Sequence, residues 1–426
     1  MPASQTGQAS ARAASVPARA GVVMAILFLI FFLGNSDNQM VSPLLPLIAG
    51  EFSLDVGRVG GLMIPAYALA AATAALLVGP LSDKFGRRNF LLLASVLFCV
   101  SLLSVFLIRD ARVLAVTRVF TGLASGTFST CSIAYVANYF PYNRRGTAMS
   151  VVQAGYFAAL VVGVPVASVL AQALGWRTSF AFFGALALVA FALVLFLLPE
   201  DRHLIEEGLS TRVARRFDNI RIVFETRGRV AGIMAAFLVS AGFVGFFSYL
   251  GSWLQKSLGL NTREVGFFFI IVGVASLIGA LAAGPVADRF GKQVLSIAST
   301  IVLAAMLLVI PRLGWGVALF ASFLTASLAF AFRQGPLQAL ATQLVPSRVQ
   351  GAFVAVRNTA SQIGIAVSAA VSGLLYNKFG YVAVGVFSGV VTLGAAVCIL
   401  IMKEPAPDRS GNGHQPAGLK PEGETS

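Results

Sequence analysis

Charge is scarce in this chain. Only 11% of its 426 residues are Asp, Glu, Lys or Arg, against 57% hydrophobic. With a mean hydropathy of +0.84, that balance excludes a set of soluble domains and leaves a polytopic membrane protein. Cysteine is scarce too. Cys99, Cys131 and Cys398 sit inside apolar runs without ligand-like spacing, which excludes a disulfide framework and a metal site. Acidic residues are outnumbered, 17 to 31 basic. The positive excess nevertheless does not indicate nucleic acid, because the Lys and Arg stand in short connectors and not on one solvated face. A nucleotide-binding glycine loop, a metal-ligand cluster and a nucleophile with its base are all missing. No catalytic residue and no cofactor is therefore expected, and an ion gradient, not ATP, is the default energy source.

What the chain has in abundance is apolar length. A helix needs about 20 apolar residues to cross roughly 30 Å of hydrocarbon. Runs of that size lie at 21–48, 59–81, 89–108, 111–138, 147–173 and 178–198, and again at 230–254, 264–286, 293–311, 315–341, 350–375 and 380–402. None shows the ten-residue alternation of a barrel strand. The expected fold is all-α and integral to the membrane, with twelve transmembrane helices in two six-helix bundles at 21–198 and 230–402. The first run has no convincing cleavage site before Asn35 and reads as a retained span after a short segment, 1–20. A linker at 199–229 carries seven arginines and an apolar face that suits a helix lying on the membrane; the Pro- and Gly-rich tail, 403–426, reads as disordered.

Placing the N-terminus inside puts 20 Lys and Arg on that side and 8 on the other. The positive-inside rule then sets both termini and the linker in the cytoplasm of a multi-pass protein of the inner (plasma) membrane. Between the second and third runs stands a short charged turn, Gly79-Pro80-Leu81-Ser82-Asp83-Lys84-Phe85-Gly86-Arg87-Arg88. It recurs 205 positions later as Gly284 to Gln293, and the same offset pairs Pro141 with Pro346, Gly175 with Gly380 and Phe182 with Phe387. The bundles are thus expected to be pseudo-symmetric repeats, the plan of alternating-access carriers with a midplane site.

The Gly79 to Arg88 turn resembles the loop signature of the major facilitator superfamily. Leu114 to Gly122 is similar to that family's arginine-and-glycine motif, with Thr121 where glutamine is common. Gly155, Gly163 and Pro165 resemble the glycine-proline motif of its twelve-helix drug:proton antiporter branch, with the proline displaced by one residue. The resemblance implies the major facilitator fold. It also implies that Gly79, Asp83, Gly86, Arg87, Arg88 and Arg145 form a conformational latch that shuts the cytoplasmic side, with Asp288 in a second copy weakened by Gln293 in place of Arg88.

Asp37 is the only acidic residue deep in any span. A carboxylate there costs about 2.5–3.5 kcal/mol on insertion scales. Its polar surroundings, Gly34 to Gln39, are expected to loosen the helix beside a cavity. Apolar burial favours the neutral acid and a nearby cation favours the carboxylate, and a swing between the two is what a proton carrier needs. The alternative is a permanently paired aspartate that holds span 1 to span 4. Counted from the outer face at 1.5 Å per residue, Asp37 and Arg118 differ by roughly 6 Å in depth, so Arg118 is its expected partner. Arg333 and Arg357 lie nearer the cytoplasm and either line an inner vestibule that attracts an anionic head group or snorkel. Asn38, Tyr156, Phe243, Phe246, Phe247 and Gln334 complete the candidate cavity.

The expected function is proton-coupled efflux of a hydrophobic or amphipathic small molecule by a monomer, with protons and the lipid bilayer as its other partners. A symporter or a lysolipid or organic-anion carrier is the alternative of the same class. A non-transporting membrane sensor is the alternative of another class.

Overall fold

A computed structural model describes residues 19–200, 224–345 and 350–402. The middle of the linker, the tail and the first eighteen positions lie outside the described residues, as does the side chain of Asp83. Among the described residues the regular elements are all helical. The first bundle comprises α1 (Ala20–Glu51), α2 (Val56–Phe85), α3 (Arg87–Leu103), α4 (Ala111–Tyr139), α5 and α6 (Trp176–Leu197). Within α5, Tyr142–Ala158 runs through a π-helical turn, Ala159–Gly163, into Val164–Leu174. The second bundle comprises α7 (Arg227–Leu258), α8 (Thr262–Phe290), α9 (Lys292–Val309), α10 (Val317–Gln343) and the pair α11 and α12 within Gln350–Ile401. That pair divides at Gly380 (φ 75°, ψ −175°), giving α11 at 350–379 and α12 at 381–401. The twelve spans follow the apolar runs closely.

One local expectation fails. The polar run Gly34 to Gln39 does not loosen α1, which stays helical from Ala20 to Glu51. The reason is that its side chains find partners that leave the helical backbone bonds alone. Asn35 Nδ2 donates to the Phe31 carbonyl at 2.7 Å, and Gln39 Nε2 to the Tyr156 carbonyl of α5 at 3.3 Å. The irregularity sits instead in the π turn of α5, where Gly163 lies against Ser36.

Helices cannot gain from the hydrophobic effect against lipid, so small residues and close backbones hold them together. A Cβ added at Gly122 or Gly126 of α4 would collide with the carbonyls of Tyr67 and Ala71 in α2. The two bundles meet in the same manner, with their hydrogen bonds gathered toward one side. We call the side where α1 and α7 begin the near face and the opposite side the far face. Toward the far face, Gln255 Nε2 donates to the Pro43 carbonyl (2.8 Å), the Gly251 amide to Ser42 Oγ (3.1 Å) and the Gly57 amide to Asn377 Oδ1 (2.9 Å). Gly266 and Gly273 of α8 pack there against Ser168 and Leu160 of α5. Toward the near face these same two helices are parted by a hollow of about 440 Å³ between Gln153 and Phe157 on one side and Leu277 and Leu281 on the other. The molecule is a wedge, sealed at the far face and open toward the near face.

Gly57 permits that seal, since any Cβ there would strike the Gly373 carbonyl and the Asn377 amide. Gly57→Val is expected to hold the far face apart. Spin labels at Arg112 and Lys378 should then sit farther apart than in the unsubstituted protein, and an unchanged distance would count against the seal.

Candidate functional site

Asp37 stands midway along α1 and Arg118 on α4. Arg118 Nη1 donates to Asp37 Oδ1 at 2.7 Å, and the two side chains are 2% and 0% exposed. So desolvated a pair persists only because each charge cancels the other and further groups attend it. The guanidinium carbon lies 5.0 Å from the Tyr67 ring and 5.8 Å from that of Phe180, both as cation–π contacts. The Tyr67 hydroxyl sits 2.6 Å from Ser125 Oγ and 3.2 Å from the Gly34 carbonyl. Asp37 Oδ2 has no hydrogen-bond partner among the described residues. The carboxylate therefore has one oxygen committed to Arg118 and one at which a proton can add.

Beside this pair, between the bundles, is a cavity of about 310 Å³. The first bundle contributes Gly34, Asn38, Tyr67, Ser125 and Tyr156 to its wall, and the second contributes Phe243, Phe330, Gln334, Gln338 and Arg357. Asn38, Tyr156, Phe243, Gln334 and Arg357 thus lie together where the sequence placed them. Phe243 stacks on Phe330 with ring centroids 4.1 Å apart.

Three candidates lie elsewhere. Phe246 and Phe247 line a smaller apolar hollow of about 20 Å³, and Phe246 packs on Tyr381 at 4.9 Å. Arg333 lines neither space. Phe330, Gln334 and Gln338, each four residues after the last, line the cavity from one stripe of α10, and Arg333 lies beside that stripe. It is 0% exposed, 5.7 Å from the Phe330 ring, and none of its three guanidinium nitrogens has a hydrogen-bond partner among the described residues. Neither vestibule lining nor snorkelling describes it. Tyr67, Ser125 and Phe330 are site residues that sequence reasoning missed. Tyr67 left a signal, a lone phenol in an alanine-rich helix. Phe330 left none among the many phenylalanines.

The repeated turn ties helices together within each bundle. Gly86 and Gly291 both take φ 90°, a left-handed conformation that favours glycine. Arg88 pairs with Glu200 at 2.9 Å and donates to the carbonyls of Val194 (3.3 Å) and Leu195 (2.5 Å) at the end of α6. Gln293 donates to the carbonyls of Ile399 (3.1 Å) and Leu400 (3.3 Å) at the end of α12. Donors and acceptors alike are related by the 205-residue offset. Both residues tie the third helix of a bundle to its sixth by satisfying carbonyls that a helix end leaves unpaired, so Gln293 does not weaken its copy in this respect. Arg87 is buried, and the Asn138 amide, turned so that its oxygen faces the guanidinium, accepts from it at 3.2 Å. Gly79 is half-buried and its carbonyl accepts from Ser82 Oγ at 3.0 Å. Arg145 is half-buried at the start of α5 and Asp288 is exposed near the end of α8. Arg88→Gln should keep the apparent melting temperature close to that of the unsubstituted protein. Arg88→Ala should lower stability by about 1 kcal/mol, the net value of a hydrogen bond or two. Equal losses in both variants would show that the charge, not the capping, matters.

Comparison with known proteins agrees with this architecture. The model of the Major Facilitator Superfamily matches residues 27–369 and 264–424. The uncharacterized MFS-type transporter YwfA of Bacillus subtilis (strain 168) is 28% identical over 381 residues, covering 88% of this chain and 90% of that protein. The uncharacterized MFS-type transporter YceJ of the same organism is 24% identical over 363 residues, covering 83% and 89%. Among solved structures, a D-xylose-proton symporter superposes with a TM-score of 0.74 at 20% identity, covering 89% of this chain and 96% of that one. The inward-open form of the xylose transporter XylE from E. coli gives 0.72 at 19% identity, with the same coverage.

Proposed function

Because the chain belongs to the major facilitator superfamily, and is on that ground a transport protein and not an enzyme, we propose that it exports an amphipathic small molecule in exchange for protons. The observation that carries this reading is the Asp37–Arg118 pair, buried one layer behind the cavity wall with one carboxylate oxygen uncommitted. Gly34, Asn38 and Tyr67 link the two, since each lines the cavity. Asn38 adjoins Asp37 in the chain, and the Tyr67 ring covers the Arg118 guanidinium.

On this reading the carboxylate is ionised in the wedge-shaped form, where Arg118 supplies its counter-charge. A proton added at Oδ2 cancels its charge and weakens its hold on Arg118, and so the hold of α1 on α4. Arg118 is then left without its counter-ion in a medium of low dielectric, so the protonated site repacks. Coupling needs the far-face-open form to load Asp37 from outside water as the substrate leaves, and the near-face-open form to release that proton to the cytoplasm, where Asp37 pairs again with Arg118, as the cavity takes the next substrate. The positive-inside bias makes the near face cytoplasmic, so the wedge is the inward-facing state. Rocking of the bundles about the midplane completes the cycle, with the charged turn containing Asp83 closing the near face. The carrier acts as a monomer in the inner membrane.

Reconstitution tests the reading. In proteoliposomes, Asp37→Asn should abolish substrate movement driven by a proton gradient while leaving substrate counterflow without a gradient. Gradient-driven movement that survives in Asp37→Asn would remove Asp37 as the proton carrier, and ligand binding with no flux in the unsubstituted protein would point to a sensor.

A further inference from the structure

Asp37 is engaged by Arg118 and is the only carboxylate at mid-membrane depth among the described residues. Arg118, Arg333 and Arg357 are the arginines within the spans, so two positive charges at the core of the molecule lack an acidic partner among the described residues. Arg357 is half-buried in the cavity wall, and among the described residues no hydrogen bond or ion pair engages it. Arg333 is fully buried behind Phe330, with all three guanidinium nitrogens unpartnered. Phe330 and Tyr156 are both cavity liners. The cavity wall itself has no acidic residue.

Charges buried in protein or at membrane depth are paired, or mark the path of a charged substrate. Both arginines belong to the second bundle, and each stands where the repeat has an apolar residue in the first: 205 positions before Arg333 is Phe128, and before Arg357 is Val152. The pseudo-symmetric fold does not require them. We infer that their counter-ion is the substrate, an organic anion whose acid group is bound by Arg357 within the positive field of Arg333 and whose aromatic body lies against Phe243 and Phe330. Arg357 supplies a planar donor fork that suits a carboxylate, sulfonate or phosphate. Gln334 and Gln338 offer amide donors from the facing helix without adding charge, and the stacked phenylalanines supply an apolar wall. A volume of about 310 Å³ lies at the small end of the roughly 300–1,000 Å³ typical of ligand pockets, which favours a compact acid over a whole lipid. The inference rests on reading the cavity as the transport site, but not on the role of Asp37.

Two probes of like shape and opposite charge, 1-naphthoate and 1-naphthylmethylammonium, test it by calorimetric titration of the full chain in phosphatidylcholine nanodiscs. Naphthoate should bind at least about tenfold more tightly than the ammonium, a difference of about 1.4 kcal/mol. Arg357→Gln should weaken naphthoate at least about thirtyfold, as removal of a buried charge partner does. Arg357→Lys, which keeps the charge and loses the fork, should fall between. Equal or tighter binding of the ammonium, an unchanged affinity in Arg357→Gln, or no binding of either probe would overturn the assignment. Replacing part of the lipid with phosphatidylglycerol should leave the naphthoate affinity unchanged. Competition by that lipid would give the arginines to a phospholipid headgroup and overturn the small-acid substrate. Loss of the charge preference with proton coupling intact removes this inference alone, and loss of coupling with naphthoate binding intact removes the proton reading alone.

Discussion

A carboxylate and a guanidinium 2.7 Å apart, with almost no exposure, constrain the first bundle more than any other contact. In a medium that cannot solvate charge, neither partner is tolerable without the other, and separating such a pair by removing one member costs about 3–5 kcal/mol. The surrounding packing accommodates that pair. The glycines of α4 bring α2 close enough for Tyr67 to cover Arg118, and Ser125 and the Gly34 carbonyl receive the Tyr67 hydroxyl. The cavity begins on the other side of this layer. The buried pair and the cavity are adjacent but not shared.

The ties within each bundle are different in kind from the ties between the bundles. Within each bundle, the third helix caps the sixth through Arg88 or Gln293, side chain to backbone. Across the far face, at the outer ends of α1 and α6, Glu51 pairs with Arg177 and accepts from Trp176 Nε1 at 2.5 Å. Between the bundles, by contrast, the seal consists of glycine approaches and a few neutral hydrogen bonds such as Gly57 to Asn377. Neutral bonds of this kind are individually worth about 1 kcal/mol, so the seal can be made and broken without dismantling either half. Arg333 behind the Phe330 ring and Arg357 in the cavity wall, neither paired with an acid among the described residues, place the second bundle under the opposite electrostatic condition from the first. One bundle carries a neutralised pair and the other carries positive charge without an answering acid.

How much of this was legible in the chain depends on what kind of partner each residue has. Span positions follow from apolar run length, and the Asp37–Arg118 contact follows from depth along two antiparallel helices, because helical rise is the same in every sequence. The tie between Arg88 and α6 was not legible, because its acceptors are the backbone carbonyls of Val194 and Leu195, which any residue would present. Phe246 and Arg333 were placed at the right depth but on the wrong face. Spacing says that Phe330, Gln334 and Gln338 share a stripe, yet only the neighbouring helices decide which stripe meets the cavity. Gly57 and Gly373 were invisible for a related reason, since a glycine used for contact between bundles has the same sequence appearance as one used within a bundle. The helical continuity of α1 through Gly34 to Gln39 depended on partners in other helices, Tyr156 and Arg118, and local propensity alone pointed the other way.

The central claim is that the protonation state of Asp37 changes with the face that is open. Infrared difference spectroscopy on the protein, comparing the far-face-sealed form with one held open there by Gly57→Val, reads this directly. A carbonyl stretch of a protonated carboxylic acid should appear when the far face opens and be missing when Asp37→Asn is combined with Gly57→Val. A difference spectrum without that band, or one in which the band survives the loss of Asp37, would contradict it.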